Sequence, residues 1–291
     1  MGAGAPTRVL VTEAPDGDLL GVAVDAARMA GTLLAGRARE GAEQEILSKT
    51  TPTDLVSEAD VAAQRAIRDL LRERRPEDGF LGEEGGGEED GSSGLTWVVD
   101  PLDGTVNFLF GIPQWCVSVA VRDSERTLAG AVYDPNRDEL FMATHDGPAT
   151  LAGPRGEAEL RGPHGRLAAG ATAATGPVEE RLATAMVATG LAYDSEVRAA
   201  QGRVLARLAP RVRDIRRFGS AALDLTWTAA GRYDAYFERS VNPWDIAAGA
   251  LICERVGLRV LELPVHENLP WGILVAPEEL AEPLLELVGG P

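Results

Sequence analysis

Residues 97–108 read Trp97-Val98-Val99-Asp100-Pro101-Leu102-Asp103-Gly104-Thr105-Val106-Asn107-Phe108. An apolar run passes into a turn and then into the start of a helix. Three bulky apolar residues in succession suit a strand covered on both faces. Pro101 fixes one φ angle and Gly104 permits a tight turn, so Asp100 and Asp103 can converge on one point. The Leu102 carbonyl between them has no obvious ladder partner. Two carboxylates and a carbonyl form a hard oxygen site suited to Mg²⁺. Gly104 to Phe108 could open a short helix, whose free N–H groups and positive dipole end favour an anion such as phosphate. Taken alone, Asp100 to Gly104 also reads as a β-turn closing a core strand.

The surrounding sequence tips the balance. Phe80-Leu81-Gly82 is a second strand that ends in acid, Glu83-Glu84. Downstream, Asn242-Pro243-Trp244-Asp245 places an acid at a helix start, ahead of the small residues Ala247, Ala248 and Gly249. The helix dipole alone would favour Asp245 there. Several acids at element ends, with no Lys or Arg nearby in sequence, repel one another unless cations neutralise them.

Composition agrees. The 291 residues carry 45 Asp and Glu against 28 Lys and Arg, a formal charge of −17. Such a surface is wrong for gripping nucleic acid or anionic lipid. At 5% aromatic residues there is no base-stacking platform either. Cys116 and Cys253 are too few for a disulfide framework or a four-ligand zinc cluster, and the isolated His145, His164 and His266 offer no paired zinc ligands. Neither a Gly-x-Ser-x-Gly elbow nor a phosphate loop ending in Gly-Lys-Ser/Thr occurs. No apolar stretch is expected to reach bilayer-spanning length, and the first residues lack a secretion signal, so the expected setting is a soluble protein of the cytoplasm.

Alternating periodicities organise the chain. Helices are expected at 18–39, at 57–75 (Ser57-x-x-Asp60 resembles a capping box), at 195–208, 219–230, 243–255 and 277–287. Strands are expected at 80–82, 97–99, 115–121, 128–133, 140–143, 186–188, 214–218, 233–238, 259–263 and 273–275. The class is α/β or α+β with layered helices and sheets. Glu84 to Gly94, built only of Gly, Ser, Glu and Asp, reads as a mobile surface loop. The Gly- and Pro-rich stretch 147–176 is the one plausible boundary, dividing an N-terminal half (18–150) from a C-terminal half (151–288) within residues 1–291.

Three segments together resemble the signatures of the inositol monophosphatase family of Mg²⁺-dependent, lithium-sensitive phosphatases, and most closely its bacterial, actinobacterial members. They are Asp54-Leu55-Val56-Ser57-Glu58-Ala59-Asp60, then Gly82-Glu83-Glu84 with Trp97 to Phe108, and Trp244-Asp245-Ile246-Ala247-Ala248-Gly249. The resemblance runs in order from about residue 18 to 287. It implies one phosphatase domain with a layered α-β-α-β-α sandwich, and a homodimer acting on a small phosphate monoester, without nucleic acid or membrane partners.

The resemblance also implies roles at matched positions. Glu83, Asp100 and the Leu102 carbonyl would hold a first Mg²⁺, and Asp100, Asp103 and Asp245 a second, with two or three ions per site. Thr105, oriented by Asp60, would work with Glu83 on the attacking water. Gly104 and Thr105 amides would take phosphate oxygens, and Asp103, Gly219, Ser220, Ala221 and Glu238 would meet the substrate. Glu84 is left outside the ligand set, as a solvated or supporting acid, and Lys49 matches a lysine near the family's site. Val106-Asn107-Phe108 fits the inositol-type branch, whereas the phosphoadenosine branch usually reads Lys-Glu at 106–107. Two positions depart from the family pattern: Phe110, where His is frequent, and Leu258 after Gly257, where Gly or Ala is usual.

Overall fold

A computed structural model describes residues 18–40, 46–48, 55–85, 87–163 and 176–290. The first half runs α1 (Leu19–Glu40), β1 (Ile46–Ser48), β2 (Leu55–Ser57), α2 (Glu58–Arg74), β3 (Gly79–Gly82), β4 (Thr96–Asp103) and α3 (Thr105–Leu109). It continues through β5 (Cys116–Arg122), β6 (Thr127–Asp134), β7 (Glu139–Thr144), β8 (Thr150–Gly153) and β9 (Gly156–Glu159). The second half runs α4 (Val178–Thr184), β10 (Met186–Thr189), α5 (Ser195–Leu208), β11 (Asp214–Arg216), α6 (Ala221–Ala229), β12 (Ala235–Arg239), α7 (Pro243–Arg255), β13 (Arg259–Leu263), β14 (Gly272–Ala276) and α8 (Glu278–Val288).

The layers follow from strand alternation. In β4, Trp97 and Val99 join the core that holds α1 and α2, whereas Val98 joins the core that holds α6 and α7. The seven-stranded sheet runs in the order β3-β4-β5-β6-β7-β8-β9, with only β3 and β4 parallel. The five-stranded sheet runs β11-β10-β12-β14-β13. One of its faces, including Tyr236, Ile273 and Val275, packs on α6 and α7. The other, including Val187, Phe237 and Leu274, packs under α4, α5 and α8. The result is the expected α-β-α-β-α sandwich, with α6 and α7 as its middle layer.

Several expectations need correction. Leu19–Arg39 is long and apolar enough, by length and composition, to cross a membrane, with mean hydropathy 1.4 in an 18-residue window. Its small apolar stripe, Ala23, Ala26, Ala27, Ala30 and Leu34, is instead buried in the core beneath the large sheet. The stretch 147–176 is no simple boundary, because β8 and β9 inside it form a hairpin that extends the large sheet. The acidic loop after Glu84 is also pinned: Glu89 and Phe80 exchange backbone hydrogen bonds at 2.8 and 2.9 Å, and Arg68 and Arg72 pair with the Glu89 carboxylate. Its composition forms no core, but it can still supply backbone to a sheet edge. Glu84 is buried rather than solvated. Lys49, His164 and the side chain of Ser57 lie outside the described residues.

At the end of β4 the ladder slips. Asp100 stands opposite Ser118 and Asp103 opposite Cys116, so β4 uses one residue more than β5 over the same span. Pro101 offers no N–H for a ladder bond, and the Leu102 N–H turns back to Asp100 Oδ1 at 2.9 Å. Gly104 then sits at φ 102, where an added Cβ would lie 2.9 Å from the Gln114 carbonyl oxygen and 3.0 Å from Trp115 Cβ. Gly104→Ala is therefore expected to lower the melting temperature by roughly 3–8 °C, a cost of about 1–3 kcal/mol. A thermal melt that superimposes on the parent would overturn this.

Candidate active site

Each acid singled out above sits where a strand stops or a helix starts. Asp100 and Asp103 end β4, Glu83 follows β3, Glu238 lies on β12 and Asp245 occupies the first turn of α7. With Leu102, Gly104, Thr105, Gly219 and Ala221 they line one cleft of about 360 Å³ between the two sheets. Chain segments far apart in sequence are thus brought to one wall by the strand order, with α6 and α7 carrying the second sheet's contribution inward.

Every acid has a defined support. Asp103 accepts hydrogen bonds from Ser220 Oγ (2.7 Å), Ala222 N (2.7 Å) and Ala221 N (3.2 Å), so it ties the large sheet to the start of α6. Asp245 Oδ2 accepts from the Asn242 N–H at 2.7 Å. Thr105 Oγ1 donates to Asp60 Oδ1 at 2.8 Å and lies 3.1 Å from the Leu102 carbonyl oxygen. Asp60 is wholly buried on α2. Asn107 Nδ2 donates to the carbonyls of Gln114 and Phe218, both at 2.7 Å, which fixes the turn before Gly219 against α3.

Two assignments shift. Ser220 is buried and does not line the cleft; its hydroxyl serves Asp103 and caps α6 through the Leu223 N–H. Glu84, buried beside Glu83, also stays out of the cleft, and Gln64 holds its backbone N–H at 2.8 Å.

The electrostatics favour a bound cation. Burial pushes Asp100 well above the usual carboxylate range, and the nearby charges of Glu83, Asp103 and Asp245 push it further. Burial raises Asp103 to about 6, against the opposing pull of Ser220 and the α6 amides. Asp245 is raised well above its ordinary value by burial and then by Asp103. No Lys or Arg forms an ion pair with Asp100, Asp103 or Asp245 among the described residues. Among those residues, no three His, Cys, Asp or Glu side chains already close on a single point at ligand spacing. An all-oxygen cluster of mutually repelling carboxylates open to a cleft fits a hard divalent cation, and fits zinc or a redox metal poorly.

Sequence reasoning missed six residues here. Arg217, Tyr193 and Trp244 line the cleft. Gly190 leaves the space that Glu238 occupies: a Cβ there would collide with the Glu238 carboxylate. Tyr236 Oη donates to Glu238 Oε2 at 2.9 Å, and burial pushes the Glu238 carboxyl up to about 7. Behind it, Asp224 is fully buried on α6 toward Tyr233, and burial holds its carboxyl well above the usual range. Only the Trp244 signal was available locally, through its place in a quoted motif.

The chain is similar in sequence and fold to known proteins. The curated inositol-1-monophosphatase SuhB of Mycobacterium tuberculosis is 44% identical over 229 residues, 77% of this chain and 74% of that protein. The Nus factor SuhB of Escherichia coli is 39% identical over 241 residues, covering 82% and 83% of the two chains. The solved structure of Mycobacterium tuberculosis SuhB superposes with a TM-score of 0.73 at 38% identity, covering 92% of this chain and 94% of that one. Residues 17–288 match the inositol monophosphatase family. With the layered sandwich in place, the chain belongs to the inositol monophosphatase family of phosphoric monoester hydrolases.

Proposed function

We propose that this protein hydrolyses inositol-1-phosphate to myo-inositol and phosphate with Mg²⁺ held by Glu83, Asp100, the Leu102 carbonyl, Asp103 and Asp245. The carrying observation is the convergence of those acids in one cleft beside the Thr105–Asp60 hydrogen bond. A phosphate monoester dianion repels an attacking hydroxide, and its uncatalysed hydrolysis is among the slowest reactions known. Bound Mg²⁺ supplies charge neutralisation, water activation and leaving-group stabilisation.

The chain's own groups supply the rest. The Thr105 hydroxyl donates its hydrogen bond to Asp60, which leaves its lone pairs to orient the attacking water. Glu83 would take the proton that water loses and return it to solvent. The water oxygen would bond to phosphorus as the ester P–O bond breaks, and the departing inositol oxygen would take a proton from solvent. Gly104 and Thr105 amides receive the phosphate oxygens. Gly219, Ala221 and Glu238 bound the part of the cleft that receives the polyol. The same machinery would serve histidinol phosphate or a sugar bisphosphate, so the substrate preference is a separate question from the chemistry. The reading carries with it a cytoplasmic homodimer.

The test is phosphate release from inositol-1-phosphate, histidinol phosphate and fructose bisphosphate, with and without Mg²⁺ and Li⁺. Mg²⁺-dependent turnover with inositol-1-phosphate preferred supports the reading. No turnover with any of them would instead favour a non-catalytic role like that named for the Escherichia coli relative. Asp245→Asn should weaken Mg²⁺ binding in calorimetry by roughly 10-fold or more and lower kcat with the fold intact. Unchanged Mg²⁺ affinity would remove Asp245 from the ligand set.

A further inference from the structure

The cleft has an asymmetric charge distribution. Its metal end gathers Glu83, Asp100, Asp103 and Asp245, whereas its only cations among the described residues are Arg217 and Arg239. Both terminal nitrogens of Arg239 are committed elsewhere: they donate to the carbonyls of Pro264 (3.0 Å), Pro270 (2.7 Å) and Gly289 (2.8 Å), among others. Arg217 makes no such commitment. It forms no ion pair within 4.0 Å and no hydrogen bond to any described residue, although it lies in the turn that Asn107 clamps. A Cβ on Gly219 would lie 2.6 Å from Arg217 Nη1, so the guanidinium lies back over the glycine at the cleft wall.

The position of that guanidinium along the cleft is also defined. Its charge acts on Glu238, which lines the same cleft, and on Asp224 buried behind it. Glu238 is held from behind by the Tyr236 hydroxyl and by the close approach of Gly190. A fixed acceptor and an uncommitted five-donor fork thus line the same cleft. A second phosphate placed beside them would gain one cation but face the Glu238 carboxyl. A neutral polyol suits the pair better: one hydroxyl donates to Glu238, and a neighbouring hydroxyl oxygen accepts from Arg217.

The geometry points to Arg217 as a specificity-determining residue that, paired with Glu238, reads a neutral vicinal diol on the leaving alcohol and disfavours a second anionic group. This inference rests on the phosphatase reading above and adds which monoesters that phosphatase selects. The site itself offers no comparable grip to an aryl phosphate, which has no hydroxyls to bracket.

The experiment compares kcat/KM for inositol-1-phosphate, fructose bisphosphate and nitrophenyl phosphate in the parent and in Arg217→Ala, Arg217→Lys and Glu238→Gln, all with Mg²⁺. In Arg217→Ala the ratio of inositol-1-phosphate to nitrophenyl phosphate should fall roughly 10-fold or more, mainly through KM, as expected for loss of a charge-assisted hydrogen bond. Arg217→Lys should restore part of that ratio, and Glu238→Gln should narrow the preference over fructose bisphosphate. An Arg217→Ala ratio within 2-fold of the parent, or an equal loss on all three esters, overturns the inference (about 0.4 kcal/mol separates a 2-fold change from none). The failure of the phosphatase reading looks different, because the parent protein would then release no phosphate from any of the three.

Discussion

Asp100→Asn is expected to abolish most phosphatase activity and, at the same time, to make the metal-free protein more stable. Asp100 is enclosed among Glu83, Asp103 and Asp245, and burial together with those charges penalises its ionised form. An amide keeps the shape and keeps an oxygen for the Leu102 N–H, now bonded at 2.9 Å. It removes one of four mutually repelling charges. The melting temperature without metal should rise by roughly 2–6 °C, the range that about 1–2 kcal/mol gives in a protein of this size. The same change strips an anionic oxygen from both proposed Mg²⁺ positions, so kcat/KM should fall by about 10³-fold or more. Calorimetry, thermal melts and phosphate release on the one variant check all three effects. A variant that melts lower than the parent and still turns over would show that Asp100 is a structural acid.

Metal-free protein should also lose stability as pH rises through the mildly acidic range, against the usual trend for carboxylates. Asp78, Asp123 and Asp214 show the ordinary behaviour: hydrogen bonds and Arg charges hold their pKa values down, and they matter only below about 4. The cleft acids are shifted the other way. Asp103 moves from 3.8 to about 6, and Asp100, Asp245 and Asp224 are raised well above their ordinary values. Between those limits the folded chain binds more protons than the unfolded chain, so stability falls with increasing pH. Asp103 alone accounts for a change of about 1.4 kcal/mol, or roughly 3–5 °C, between pH 5 and pH 7.5. Saturating Mg²⁺ should flatten or reverse the slope, because a cation bound only by the folded state replaces the protons and stabilises by mass action. A metal-free melting temperature that climbs steadily over this range would refute the arrangement of charges described for the cleft.

The acids were legible because their signals are local. Asp100, Pro101, Asp103 and Gly104 declare a turn by residue type, and Phe80 to Glu83 and Asn242 to Asp245 declare element ends in the same way. Gly190 and Arg217 were not legible, because their importance comes from what the fold brings against them: Glu238 from β12 in one case, the clamp by Asn107 in the other. Ser220 was placed among the substrate contacts, and only the position of Asp103 shows that its hydroxyl points back to the sheet. The hairpin of β8 and β9 escaped for a different reason. Gly156–Glu159 is exposed throughout and has no apolar face to set up an alternation. The acidic loop after Glu84 misled by composition: lack of apolar residues forbids a core but does not forbid a backbone bridge to Phe80.

The extra residue in β4 has a consequence best put as parity. Side chains in a strand alternate, so residues three apart face opposite ways, and a regular strand would aim Asp100 and Asp103 in opposite directions. Asp100 has the parity of Val98, toward the middle helices, and an unbroken count would send Asp103 into the apolar layer with α1 and α2. The slip between the partners Ser118 and Cys116 resets the count: Leu102 drops into that apolar layer and Asp103 turns to meet α6. The spacing of the two acids is therefore an odd number made to behave as an even one. Restoring a regular ladder across Asp100 to Asp103 without removing a residue would conserve every acid in the chain and still leave one fewer facing the cleft.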